Sequence, residues 1–400
     1  MHALADTHQL VKDGVITPDQ AAQIEDRARD TMMRMVINII LTGGIFASTI
    51  GLIAFLADAR SVAGLGAGLL LLGALILNRK SDSLSMFGQA ATLIGAGMLI
   101  GGFGTELFLY HEPIAGPAAS IAGIVVALPA AWIFRRPTHH PFIIGAIFIM
   151  GVALHLAGCA FWIDQAEMVG WSKALFLLYG AAAIAASGLF VDVRFITALA
   201  IIPFAQILDA NTRYYHAAYA FYSKESTLSI LQMTGLIVLA LLTRNRWGDR
   251  VGRHITLLAI IAFIVANMCA LVGSLWGDVV GENLWGQHTY WQNYPDYETA
   301  QAAREAFEAT TLVISEQAYA ILWALALVAV AAFAAHRGLR GLLNTAVTFG
   351  AIHAYTQMFE SYADQPLAYV IAGLTAIPLA WGMWRLNTWL ALRTNTATRI

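Results

Sequence analysis

From Pro141 to Trp162 the chain reads PFIIGAIFIMGVALHLAGCAFW, without a single Asp, Glu, Lys or Arg. A helix rises about 1.5 Å per residue, so residues 141–162 are long enough for the roughly 30 Å of hydrocarbon in a bilayer. Lipid offers the backbone no hydrogen-bond partners, so an apolar run of this length is read as a membrane-spanning helix. Arg135 and Arg136 precede the run and Asp164 follows it, which gives its two ends opposite charge.

The same pattern recurs on both sides. Provisional spans fall at 34–56, 62–78, 86–109, 114–134, 141–162, 173–191, 195–210, 227–243, 255–276, 315–335, 340–360 and 366–390. The fold class predicted is therefore all-α, a polytopic integral membrane helical bundle of about twelve transmembrane helices. Over the whole chain 58% of residues are hydrophobic and 12% charged, which excludes an ordinary soluble domain. A net charge of −2 with no polybasic run excludes nucleic acid as a partner. Cys159 and Cys269 both lie inside apolar runs, with no zinc-ligand or disulfide spacing, and read as small core residues. No metal or cofactor is expected.

Charge bias orients the bundle. With the N-terminus cytoplasmic, all but five of the 23 Lys and Arg residues fall on inner segments. The exceptions are Arg60, Lys173, Arg213, Lys224 and Arg304. Localisation in the bacterial cytoplasmic (inner) membrane follows, with both termini inside. The first 30 residues are polar and the first apolar run begins near Met35, too late and too long for a cleavable signal.

Residues 1–30 read as a cytoplasmic helical hairpin. Gly14 closes its first helix, and Thr17-Pro18-Asp19-Gln20 opens a second with a capping-box pattern, running directly into the first span. Membrane repeats are assigned to 31–136, 137–250 and 251–400, because Ala54–Asp58, Ala160–Asp164 and Ser274–Asp278 end alike. The third spans of these blocks close on Glu106, Asp209 and Glu360, each followed by Tyr or Phe. Leu128-Pro129-Ala130-Ala131-Trp132 with Arg136 matches Ile377-Pro378-Leu379-Ala380-Trp381 with Arg385, while the middle block lacks that proline.

The third block carries an outer insertion, 277–314. Its first half is aromatic and polar, with Trp285, Tyr290 and Trp291 as contact candidates, and its second half, 296–312, has helical spacing with Ala300, Ala303 and Phe307 on one face. It is a candidate surface for an envelope protein, as 1–30 is for a cytoplasmic one.

The six acids Asp58, Glu106, Asp164, Asp209, Asp278 and Glu360 are the substrate- or ion-binding candidates. At the C-terminal end of its own helix a carboxylate meets the negative end of the macrodipole, so another partner must favour it. His155 and His353 are the intramembrane titratable candidates, weighed against the plainer role of bonding a neighbouring carbonyl. Asn38, Gln89, Gln206, Gln232, Asn267, Asn344 and Gln357 are expected to join helices by hydrogen bonds. The Gly64/Gly68 and Gly97/Gly101 pairs are expected to let helices approach, and Pro129, Pro203 and Pro378 to kink their spans.

The stretch Leu10-Val11-Lys12-Asp13-Gly14-Val15-Ile16-Thr17, followed by a polar helix and back-to-back spans, resembles the start of bacterial predicted membrane proteins known as domains of unknown function. Arg213-Tyr214-Tyr215 through Ser223-Lys224, then Leu228 and Gly235 to Thr243, is similar to a tyrosine-pair and Lys pattern in a related group. This chain departs from it at Lys224-Glu225-Ser226, where Lys followed directly by Ser is expected. The resemblance implies a polytopic bacterial membrane protein and supplies no activity.

Soluble-enzyme motifs are absent: no phosphate-binding glycine loop, no His-Glu-x-x-His and no Gly-x-Ser-x-Gly, so no catalytic residues are assigned. The expectation is a transporter-like protein for a small polar, cationic or lipid-linked solute. The alternative is a non-transporting scaffold or sensor subunit of an envelope complex, and a membrane-embedded enzyme on a lipid-linked substrate is a third.

Overall fold

In a computed structural model the chain is described over residues 7–56, 58–78, 85–137, 140–168, 170–208, 213–215, 220–223, 225–282, 284–286, 293–337 and 339–362, with scattered positions between 367 and 385. Asp209, Tyr290, Trp291 and Pro378 lie outside the described residues.

The hairpin at the N-terminus forms as its residues dictate. Helix α1 (Thr7–Lys12) stops at Gly14, whose φ of +69° is open to glycine, and Val15 N–H reaches back to the Leu10 carbonyl at 2.9 Å. Helix α2 (Pro18–Leu56) opens with a reciprocal capping box: Gln20 N–H donates to Thr17 Oγ1 at 3.2 Å and Thr17 N–H donates to Gln20 Oε1 at 3.0 Å. Thr7 Oγ1 donates to Glu25 Oε1 at 2.5 Å and ties the two helices together.

Beyond α2 come α3 (Ala59–Asn78), α4 (Ser85–Tyr110), α5 (Glu112–Phe134), α6 (Pro141–Gln165), α7 (Trp171–Val191), the short α8 (Arg194–Leu199) and α9 (Ile201–Phe204), and a hairpin of β1 (Arg213–Tyr215) and β2 (Ala220–Tyr222). Then follow α10 (Ser226–Thr243), α11 (Gly248–Trp276), β3 (Asp278–Val279), α12 (Tyr297–Thr310), β4 (Val313–Ile314), α13 (Glu316–His336) and α14 (Arg340–Tyr362). Among the described residues eight helices are long and apolar enough to cross a membrane: α3, α4 from Phe87, α5, α6, α7, α10, α11 and α13 through Arg337. This is the architecture of a multi-pass helical membrane protein.

Two compact units form, Met1–Met168 and Val169–Ile400. Sequential helices pair: α3 with α4 and α5 with α6 in the first unit, α10 with α11 and α13 with α14 in the second. The pairing faces are lined with small residues while the bulky ones point away. In α5, Ala115, Gly116, Ala119, Gly123 and Ala127 are buried, whereas Ile121, Val125 and Leu128 are exposed. That distribution is inside-out for water and right for lipid, where close backbone approach rather than a hydrophobic drive holds helices together.

The glycines that permit this approach are not the Gly64/Gly68 pair, around both of which a Cβ would meet nothing within 4 Å. They are Gly66 and Gly73 on α3, set against Gly95 and Thr92 of α4, and Gly102 on α4, set against Ala59 and Ala63 of α3. Gly64 and Gly68 sit two residues off Gly66, about 200° round the helix, so four-residue spacing marked the wrong face.

The seventh expected span, 195–210, does not form as one helix. Pro203 has no N–H to give the Leu199 carbonyl, and the run divides between Leu199 and Ile201 before ending at Phe204. Arg194–Phe204 covers only about 16 Å at helical rise. Helices α8 and α9 pack on α7 and α11, and β2 lies against α11. By contrast, α5 continues through Pro117 and Pro129 as one helix.

The expected i,i+4 resemblance of the fourth spans has a local counterpart: the guanidinium of Arg136 lies 3.5 Å over the ring of Trp132, and that of Arg385 lies 5.0 Å over the ring of Trp381.

A Gly95→Ala substitution would place its Cβ 2.3 Å from the Leu70 nitrogen. It should lower the thermal unfolding midpoint in detergent by the equivalent of about 1–3 kcal/mol, while Gly64→Ala should leave it unchanged or slightly raised. Equal responses would remove the α3–α4 assignment.

Candidate functional site

Helix α10 begins at Ser226 with Glu225 as its N-cap, and Glu225 makes no side-chain cap of its own. The first-turn amides of α10 therefore need an outside acceptor. Asp278, on β3 just past the end of α11, supplies it: Thr227 N–H donates to Oδ2 at 2.7 Å, and the Thr227 hydroxyl donates to the same oxygen. Tyr319 of α13 brings its hydroxyl to 2.5 Å from Thr227 Oγ1 and 3.4 Å from Asp278 Oδ2. Gly273 makes room for that ring, since a Cβ there would sit 2.4 Å from it.

Glu225 is fully buried and Asp278 is 8% exposed. Glu225 Oε2 accepts from Gly281 N–H at 2.9 Å. Gly281 takes a φ of +85°, and Trp285 covers it so closely that a Cβ would meet the indole. Ser223, Ser226 and Ser229 are buried around the pair, with Ser223 and Ser229 hydroxyls 3.2 Å apart and both in reach of the Cys269 thiol. Two acids, several hydroxyls and two backbone amides thus converge where α10, α11 and α13 meet the start of the insertion. A buried acid in this setting is costly unless hydrogen-bonded, and each of the two has partners.

The insertion is a closed excursion. β3 and β4 pair antiparallel, Asp278 with Ile314 and Val279 with Val313, and bring its ends together. Asp296 caps α12 through Thr299 N–H at 2.8 Å, which with the Thr299 hydroxyl holds the Asp296 carboxyl below its ordinary range. As the helical spacing predicts, Ala300 is buried and Ala303 and Phe307 are half-buried. Trp285 is exposed.

Further along α10 and α11 the polar contacts continue. Gln232 Nε2 donates at 2.6 Å to the Phe204 carbonyl at the end of α9, which also accepts from Ile207 N–H, and Gln232 Oε1 is buried with no partner among the described residues. Asn267 donates to the Phe263 carbonyl at 2.8 Å and accepts from Trp323 Nε1 at 3.0 Å. Gln232 and Asn267 therefore join helices as expected, through Phe204 and Trp323. His353 sets its ring edge-on to Trp323 at 4.6 Å, and its Nδ1, like Gln357 Nε2, is buried without a partner.

The opposite end of α11 carries a second cluster. His254, 2% exposed, lies between Thr197 Oγ1, 2.6 Å from Nδ1, and Asp192 Oδ1, 2.9 Å from Nε2. Arg250 gives Nη2 to the Leu189 and Phe190 carbonyls at the end of α7, and its Nε lies 3.4 Å from Asp192. A cation on the last carbonyls of a helix complements its dipole. The His254 ring, followed by the Arg250 charge, holds the Asp192 carboxyl below the usual carboxylate range.

The six acids stand in different settings. Asp58 caps α3, accepting from Arg60 N–H and Ser61 N–H at 3.2 Å each, and the Ser61 hydroxyl lowers its pKa. Glu106 pairs with Arg60 Nε at 2.6 Å and lies 3.2 Å from His111 Nε2, so Asp58 and Glu106 share Arg60. Asp164 and Glu360 are exposed near the ends of α6 and α14. The macrodipole argument needs correcting at two of them. Asp58 and Asp278 serve the N-terminus of a following or neighbouring helix, where negative charge is favoured.

His155 bonds the Ser120 carbonyl at 3.0 Å, the plainer of its two expected roles. Sequence reasoning missed Glu225, Thr227, His254 and Tyr319. Glu225 stood in view as the residue that departs from the tyrosine-pair and Lys resemblance, directly before Ser226-Thr227 at the head of an apolar run. Among the described residues no group of three or more His, Cys, Asp or Glu is placed to hold a metal.

A carboxyl held low by folding contributes stability only while ionised, so the Asp192 contribution is complete above about pH 4 and is lost as the pH falls through its folded value. Thermal unfolding in detergent should therefore show a shallower acid limb for Asp192→Asn than for the parent. An identical limb would place the acid sensitivity elsewhere. Comparison with family models, curated proteins and solved structures finds no match to this chain.

Proposed function

We propose that the chain is a transporter-like protein of the bacterial cytoplasmic membrane, handling a small polar, cationic or lipid-linked solute. The observation that carries this is the broken run 194–222 beside α11. Thr197 touches His254 near one end of α11, Ile201 and Ala205 pack on Ala262 at its middle, and Ser223 reaches Cys269 toward the other end. The described parts of the segment therefore extend along α11, with the short helices α8 and α9 toward one end and Ser223 toward the other. Irregular backbone at membrane depth is tolerated only where protein or a polar cavity satisfies it, and discontinuous helices are where carriers bind solutes and coupling ions.

Read this way, 194–222 is the seventh of twelve crossings and the positive-inside count holds, with Arg244, Arg246, Arg250 and Arg253 inside and Asp278 outside. The solute site centres on Glu225 and Asp278, with Thr227 and Tyr319 beside them, under the outer insertion. Small cations and polar solutes should raise the unfolding temperature of purified protein. Glu225→Gln with Asp278→Asn should abolish that response, and Asp164→Asn should keep it. A double variant that responds like the parent would remove this pair from the site.

A second reading, a scaffold or sensor subunit, draws on the insertion, where Trp285, Tyr297 and Leu312 are exposed. A photocrosslinker at Tyr297 that captures one envelope protein in stoichiometric yield would favour it, and labelling of lipid alone would count against it.

A further inference from the structure

In the first unit, α5 and α6 bring Ser120, His155 and Cys159 together. Gly123 and Gly158 allow it: a Cβ at Gly123 would lie 2.3 Å from the His155 nitrogen, and one at Gly158 would lie 2.3 Å from the Ser120 nitrogen. His155 Nδ1 is 3.0 Å from the Ser120 carbonyl and 2.8 Å from Ser120 Oγ. A carbonyl only accepts, so in the neutral ring Nδ1 carries the proton and Nε2 presents its lone pair. One helical turn on, Cys159 Sγ lies 3.8 Å from Nε2 and 3.2 Å from Ser120 Oγ. This is the arrangement in which a backbone carbonyl orients an imidazole as a metal ligand.

We infer that His155 Nε2 and Cys159 Sγ form a two-donor site for a soft monovalent cation of the Cu+ class. The spacing fits a trigonal ion whose third position Ser120 Oγ or water completes: bonds of about 2.0 Å to nitrogen and 2.3 Å to sulfur with an angle near 120° set the donors about 3.7 Å apart. Thiolate and imidazole are the donors soft cations select. Charge favours the monovalent ion, because Cys159 loses its proton to solvent as the metal–sulfur bond forms, and thiolate with Cu+ is neutral. A divalent ion would leave a net positive charge inside an apolar helix pair, which is costly. Ser120 Oγ stands beside the sulfur as a weak third donor.

The test is a titration of reduced, full-length protein in detergent with Cu+ against a chromophoric Cu+ chelator. One Cu+ per chain is expected for the parent and for Cys269→Ser, with release of one proton per ion. Cys159→Ser should lose the site, and His155→Gln should weaken it by roughly 100-fold. Because either variant can misfold, the parent is also alkylated with N-ethylmaleimide, and Cu+ should protect Cys159. Retention of binding by Cys159→Ser, parent-like affinity in His155→Gln, Zn2+ binding as tight as Cu+, or alkylation of Cys159 unaffected by Cu+ would each overturn the assignment.

Discussion

Lipid cannot hydrogen-bond a peptide group, and the places where this chain fails to satisfy its own backbone are the places where its polar side chains gather. Within an unbroken apolar helix the problem does not arise, so α3, α5 and α6 need only small residues on one face to pack. It arises at three points in the second unit. Where α9 ends just past Pro203, Gln232 adds a second bond to the Phe204 carbonyl, which Ile207 N–H also reaches. The head of α10 has free amides, and Asp278 takes the one at Thr227. At the end of α7, Arg250 donates to the Phe190 carbonyl and joins Asp192 N–H on that of Leu189. Each rescue comes from a different element, so the backbone shortfalls of short helices become the tertiary bonds of the unit.

Much of this was legible along the chain. The capping box at Thr17 and Gln20, the closing glycine at Gly14 and the helix at 297–310 follow from local rules whose partners lie within five residues. What local rules do not carry is which face of an apolar helix meets its neighbour. Every face of α3 is apolar, so four-residue glycine spacing pointed to Gly64 and Gly68, while the contact runs through Gly66 and Gly73. The macrodipole reasoning about the acids went astray for the same reason. Each was weighed against the dipole of the helix it follows, yet Asp278 serves the start of α10, fifty-one residues earlier in the chain. His155 and Cys159 are the opposite case, an i,i+4 pair in plain sequence whose significance depends on a carbonyl from α5.

The two polar ends of α11 are built differently, and this bears on how a carrier could work. At the Asp192 end the ion pair is half exposed, 49% for Arg250 and 48% for Asp192, so water already competes for both partners and the pair contributes little. The buried His254 and Thr197 contacts hold that end instead. At the Asp278 end the acids are buried and their donors are two backbone amides and hydroxyls. Separating α10 from the insertion there breaks the Thr227 and Gly281 bonds, but it also returns Glu225 and Asp278 to water.

Buried acids are solvated far better in water than between helices, so hydration offsets much of what the broken bonds cost. An apolar joint of the same area would have no such compensation. The Asp278 end would therefore open more cheaply than its burial suggests, and onto the residues proposed above to hold a cation or a polar group. Gly277 and Gly281 flank Asp278 with φ of +67° and +85°, backbone positions that side-chain-bearing residues rarely adopt. A polar, glycine-flanked joint beside the broken run is what the proposed carrier would use to alternate its access, built from residues whose first role is to satisfy a helix end.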